Sequence, residues 1–167
     1  MELTSTLEEY NPDWPKRYAE AAADLAPIFG GQWVEMHHVG STAVPQLAAK
    51  PEIDVLAVVS TSDTPALWVQ ELASLGYRRG KDLSEGHRFF KRDIEGVRTH
   101  KLHICVAGHV SIHRMLAFRD HLRTHPADRD AYAALKLRLA ATETGGIAEY
   151  LSRKRPFIDE VLARAET

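Results

Sequence analysis

Residues His37 to Val59, HHVGSTAVPQLAAKPEIDVLAVV, constrain this chain more than any other segment. An apolar, strand-like run over 33–39 ends in Gly40-Ser41-Thr42. A loop holding Pro45, Lys50 and Pro51 follows, and a second run over 53–59 has Asp54 at its entrance. Both runs read as buried strands, so the polar residues between them sit at a strand end. Glycine lets backbone N–H groups approach a ligand closely, and Ser41 and Thr42 can donate or accept hydrogen bonds. Lys50 and Asp54 bring phosphate and cation chemistry within reach of that turn. A solvated Gly-Ser turn is the competing reading; the density of polar groups between two apolar runs favours a site.

Around this segment the helical and strand periodicities separate along the chain. Residues 2–9 read as a short edge strand anchored by Leu3 and Leu7. Asp13 reads as an N-cap with Pro15 in the first turn. Trp14, Tyr18, Ala22, Leu25 and Phe29 recur at helical spacing up to Gly30-Gly31. Asp63 or Thr64 is expected to cap a second helix that starts at Pro65, shows Leu67, Trp68, Leu72 and Leu75 as its apolar face, and closes at Gly76. Strand-like pieces at 87–92 and 97–106 meet in a turn at Glu95-Gly96. After Gly108 the pattern is helical over 110–124, 127–142 and 147–165, and Pro156 is expected to break the last helix or mark its restart. Strands first and helices last predict an α+β fold: a small mixed sheet with helices on one side and a helical C-terminal layer. The chain reads as one domain over 1–167, with a sheet-containing part over 1–108 and a helical part over 109–167.

Its 167 residues suffice for a core that buries roughly 68–70% of the unfolded surface, without disulfide staples. The net charge of -2 argues against a general nucleic-acid footprint. Cys105, the one cysteine, lies in an apolar run and reads as a small buried hydrophobe. There is neither a membrane-length apolar run nor a signal-type N-terminus, so a cytoplasmic location without membrane contact is expected.

Phosphate loops, GxGxxG, HExxH and paired CxxC are absent, so a site must be assembled from separate strands. Strand parity puts Asp54 on one face with Leu56 and Val58. His100 and His103 fall on opposite faces, and His103 is the one expected beside Asp54. Asp54 with His38 and His103 would suit a divalent metal, since imidazole plus carboxylate suits zinc, manganese or iron; Mg, Mn or Zn is the expected cofactor. Each histidine making a single structural hydrogen bond is the alternative. Arg88 and Phe89–Arg92 could hold a base against phenyl rings, or could be core plus a charged strand edge. Arg119, Lys136 and Lys154 on the C-terminal helices could form an anion-binding wall, or serve as ordinary surface charges.

The segment HHVGSTAVPQLAAKPEIDV resembles the signature of the GrpB-like family. The likeness continues through YNPDW, LGYRR, FFKR, THKLHI, LAFRDHLRTHP, YAALKLRLA and SRKRPFIDEVLARA. The resemblance implies a nucleotidyltransferase-like fold, and some relatives are joined to the kinase that completes coenzyme A synthesis. Within it, Gly40 and Ser41 match a phosphate-contacting pair and Asp54 a catalytic strand carboxylate. The second carboxylate, expected two residues on, is replaced by Leu56; Glu35 and Asp93 are weak substitutes. His37 and Gln46 stand where relatives often carry glutamate and glycine.

The leading expectation is a protein that binds a nucleotide or phosphorylated metabolite, with metal-assisted nucleotidyl transfer as its most ambitious form. In that form Gly40, Ser41, Lys50, Arg119 and Lys136 hold phosphate, and Asp54 with His38 and His103 holds the metal. A non-catalytic regulatory or interaction domain, and a single-metal His/Asp hydrolase, are the alternatives.

Overall fold

A computed structural model describes residues 6–142 and 146–166. Helix α1 (Trp14–Phe29) is followed by strands β1 (Trp33–Val39) and β2 (Ile53–Val59), helix α2 (Ala66–Ser74) and strands β3 (Tyr77–Arg79), β4 (His87–Ile94) and β5 (Val97–Val106). Helices α3 (Val110–Thr124), α4 (Pro126–Thr142) and α5 (Ile147–Ala165) complete the chain described. The five strands form one mixed sheet in the order β1-β2-β5-β4-β3. Only β2 and β5 run parallel; every other neighbouring pair is antiparallel. A parallel pair needs a crossover, and here α2, β3 and β4 supply it.

Alternation along β2 sorts the core. Ile53, Val55, Ala57 and Val59 pack under α1 and α2 with Trp14, Leu25, Phe29, Trp68 and Leu72. Leu56 and Val58 face the other way, with Val39 and Cys105, against Ile112, Met115 and Leu116 of α3. Helices therefore cover both faces, α1 and α2 on one and α3 of the helical C-terminal layer on the other. The reason is that β2 carries apolar residues on both of its faces, so each needs a helical cover. Behind α3, the face of α4 and α5 closes on Val44, Leu47, Leu122 and Tyr132.

Several local expectations change. Residues 2–5 of the expected edge strand, Leu3 among them, lie outside the described residues; among the rest, Glu8 forms an isolated antiparallel bridge with Ala49. Neither Asp63 nor Thr64 caps α2, whose N-cap is Pro65. The preceding loop is instead gripped by buried Arg88, which donates to the carbonyls of Thr61, Ser62 and Asp63 at 3.2, 2.6 and 2.5 Å. This also removes Arg88 from any role with an external phosphate. Leu67 is exposed, because the short α2 buries only Trp68 and Leu72. Strand β3 was not expected. Pro156 lies inside α5 without ending it: buried Tyr150 on one side and Val161 and Leu162 on the other tie both halves to the core. Among the described residues no helix is long and apolar enough to cross a membrane.

Candidate functional site

Gly40 ends β1 with φ 74°, a left-handed conformation that glycine adopts without penalty. Ser41–Ala43 then form one 3-10 turn. The turn is held from several directions. Thr42 donates its hydroxyl proton to the Glu52 carbonyl at 3.2 Å, so it accepts from His38 Nε2–H at 2.9 Å. From α3, Arg119 donates to the His38 carbonyl at 3.0 Å and Arg123 to the Ala43 carbonyl at 2.9 Å. Further along the loop, Gln46 has φ 68°, a left-handed conformation that a non-glycine residue adopts at a cost.

Beside the turn lies a cavity of about 210 Å³. Gly40, Ser41 and Thr42 form one wall, Glu52 and Asp54 the floor, and Tyr132 and Tyr150 of α4 and α5 the roof. Four lysines, Lys50, Lys101, Lys136 and Lys154, surround it against the two carboxylates. The Lys101 ammonium stands 3.2 Å from Glu52 and 3.4 Å from Asp54. The register of the sheet holds it there, because Asp54 and Lys101 are direct partners across β2 and β5. Lys136 donates to the Ala48 carbonyl at 2.6 Å and lies over the Tyr132 ring. Lys50 and Lys154 lie over the Tyr150 ring at 4.9 and 4.5 Å. A second, largely apolar cavity of about 280 Å³ adjoins the first. It is lined by His103, Met115 and Leu162 and shares Gly40, Asp54, Phe118 and Ile158 with its neighbour.

The electrostatics follow from this crowding. Burial works against charge on Asp54, yet Lys101, helped by His103, outweighs it and holds the carboxyl below its ordinary value. Burial likewise opposes charge on Lys101, but Asp54 and Glu52 outweigh it and push that lysine above the usual range. For Lys136 and Lys154 the balance is reversed: burial first, then the neighbouring lysines, outweighs the pull of Asp54 and brings each down to about 7. Lys50 is lowered too, chiefly by burial.

Of the residues singled out in the sequence, Gly40, Ser41, Lys50, Asp54 and Lys136 meet at the lysine cavity. His103 approaches Asp54 at 3.7 Å from the adjoining one. His38 does not join them. It is paired with Val55 across β1 and β2, on the opposite face from Asp54, where it stacks on Tyr18 and is lowered to about 4 by burial. Arg119 also lies outside the cavity lining, its guanidinium taken by Asp120 at 2.8 Å and the His38 carbonyl. The expected Asp54, His38 and His103 triad therefore does not converge. Among the described residues, the His/Cys/Asp/Glu trio whose donor atoms do come together, within 4.8 Å of one another, is His87, Cys105 and His109. Both histidines there already bond to serines, His87 to Ser111 and His109 to Ser84.

Glu52, Lys101, Tyr132 and Tyr150 were not anticipated. Glu52 had a signal: two residues before Asp54, it shares that residue's strand parity. Lys101 shares parity with His103, but its pairing with Asp54 depends on a register that a single strand does not carry.

The family model described as GrpB protein matches residues 4–164. The chain is 39% identical to a UPF0157 protein of Halalkalibacterium halodurans, over 96% of this chain and 82% of that one. It is 23% identical to the dephospho-CoA kinase of Mycobacterium bovis, over 93% of this chain but only 44% of that longer protein. The crystal structure of the conserved protein GrpB from Enterococcus faecalis superposes with a TM-score of 0.88 at 34% identity, covering 96% of each chain. The Cid1 poly(U) polymerase, solved bound to MgATP, superposes with a TM-score of 0.51 at 16% identity over 77% of this chain and 45% of that one, a likeness of fold alone. The fold is thus α+β and nucleotidyltransferase-like.

Proposed function

The chain belongs to the GrpB family, and we propose that its lysine-lined cavity binds the phosphate groups of a nucleotide or another phosphorylated metabolite. The observation that carries this reading is the convergence of Lys50, Lys101, Lys136 and Lys154 on the Gly40-Ser41 turn, where Glu52 and Asp54 are the carboxylates of the lining among the described residues. Burying cations without enough counter-charge is unfavourable, as the lowered Lys136 and Lys154 attest, and an anion relieves it. Gly40 and Ser41 offer hydrogen bonds, the lysines neutralise charge, and the adjoining apolar cavity has room for an uncharged part of the ligand.

A second reading, a non-catalytic regulatory or interaction domain that keeps the fold, is favoured by Lys101. The two carboxylates that could take part in group transfer are already engaged with an ammonium. The two readings share the phosphate cavity and differ only in whether the bound ligand reacts.

Thermal shift and calorimetry with inorganic pyrophosphate and with ATP test the proposal. Binding to the native state should raise its melting temperature, and Lys136→Met should weaken pyrophosphate at least tenfold. Unchanged affinity in a folded Lys136→Met protein, or no binding of any phosphorylated compound, would retire the reading.

A further inference from the structure

We infer that this site accepts its anionic ligand free of metal, Lys101 serving as a fixed cation in the place a divalent ion would take. The inference rests on the phosphate-binding reading above and identifies the form of ligand: a free phosphate or polyphosphate group, not its magnesium complex.

Two acidic side chains, Glu52 and Asp54, line the cavity. Glu52 and Asp54 lie two residues apart on one side of the same chain segment, and their side chains are only 8% and 14% exposed. Such a pair is a natural seat for a magnesium or manganese ion, which binds oxygen ligands at roughly 2.0–2.1 Å and keeps several waters. Here the space between them is served by the Lys101 Nζ, 3.2 Å from one carboxylate and 3.4 Å from the other. An ion drawn to both carboxylates would have to share that space with an ammonium and endure its repulsion.

Lys101 is rooted beside the pair: its Cα is fixed by the β2–β5 register, with β4 paired on its other flank through Lys91, and its ammonium is held by both carboxylates. The remaining lysines, Lys50, Lys136 and Lys154, crowd the other walls and would repel a small dication further. Of the imidazoles, His38 lies across the sheet, and His103, its Nδ1 bonded to His87 Nε2 at 2.9 Å, turns only Nε2 toward Asp54, at 3.7 Å. That one neutral donor adds no charge to offset the Lys101 ammonium standing between the two carboxylates. The residues present therefore do not fit a divalent ion at Glu52 and Asp54, although they fit an anion well.

Two measurements decide this. The first is Mn²⁺ binding by electron paramagnetic resonance to the wild type, Asp54→Asn and Lys101→Met. Wild type and Asp54→Asn should be indistinguishable, whereas Lys101→Met, which keeps the side-chain length and removes the charge, should bind Mn²⁺ at least tenfold more tightly than wild type. The second is pyrophosphate affinity of the wild type in EDTA and in magnesium, with affinities expressed per free pyrophosphate. Binding should persist in EDTA at undiminished strength.

A wild-type Mn²⁺ site that Asp54→Asn abolishes would overturn the inference. So would pyrophosphate binding that requires magnesium, or a folded Lys101→Met that gains no Mn²⁺ affinity. If circular dichroism shows Lys101→Met unfolded, Lys101→Gln replaces it, and the comparison of wild type with Asp54→Asn still decides. Failure of pyrophosphate to bind under either condition would sink the phosphate-binding reading, while the Mn²⁺ arm would still report on Lys101.

Discussion

Gly40 and Asp54 are so close that a side chain on one would displace the other: a Cβ placed on Gly40 would stand 2.8 Å from Cγ of Asp54 and closer still to Oδ2. Gly40 directly follows β1 and Asp54 lies on the neighbouring β2, with Val39 the direct partner of Asp54. The absence of a side chain at 40 therefore lets the Asp54 carboxylate reach the cavity floor and leaves the turn's backbone open to a ligand.

Gly40→Ala should consequently damage both the site and the fold. Gly96, in the β4–β5 turn, provides the control, since it has a similar φ of 79° but no atom within 4 Å of a built Cβ. Gly96→Ala should cost only the backbone strain, roughly 1–2 kcal/mol. Gly40→Ala should cost more than that and weaken pyrophosphate binding at least tenfold in whatever folded protein remains. Equal melting temperatures for the two variants would contradict the close approach.

Arg119→Ala should lower stability and leave affinity alone. Its guanidinium fastens α3 to the His38 carbonyl and pairs with Asp120, outside the cavity lining. Hydrogen bonds of this charged kind contribute roughly 1.5–3 kcal/mol, and a chain of this size loses roughly 2–4 °C per kcal/mol. A fall of several degrees with unchanged pyrophosphate affinity is expected; an affinity loss of tenfold or more would restore Arg119 to the site.

The pH dependence separates binding from stability. Lys136 and Lys154 titrate at about 7 in the folded protein, mainly because burial disfavours their charge. Unfolded lysines keep their protons to roughly 10.4. Between those values the unfolded chain binds more protons, so the contribution of these two groups to stability rises with pH from about 7 towards 10 and is least below 7. Anion affinity should run the opposite way, falling as pH rises from 6 to 9, with protons taken up on binding. Asp54, held low, and Lys101, held high, keep their charges through this window, and the Tyr150 phenol, raised to about 12 by burial, stays neutral. Calorimetry in buffers of different ionisation enthalpy reads the proton uptake, and Lys136→Met at each pH corrects for the ionisation of the probe. An affinity independent of pH in both proteins would contradict the lysine assignment.

Most elements were legible from local pattern. Residues 33–39 and 53–59 are strands as their apolar runs suggested, and the helices ending at Phe29 and Thr124 stop where glycine or His125-Pro126 follows. Parity alone put Asp54 on a face with Leu56 and Val58 and separated His100 from His103, because a strand alternates with a fixed period of two. The motif around Gly40 and Asp54 was equally visible, as a strand end rich in polar groups. What one strand cannot carry is its register against another. Pairing placed His38 opposite Val55, behind the sheet, and set Lys101 beside Asp54. Helix packing likewise brought Tyr132, Tyr150 and Lys154 over a turn about a hundred residues away in sequence while turning Arg119 to a backbone carbonyl. Secondary structure follows short-range sterics and local hydrophobic period, which the sequence holds by itself. The charge balance of the cavity depends on contacts between segments far apart in the chain, and only the tertiary structure decides those.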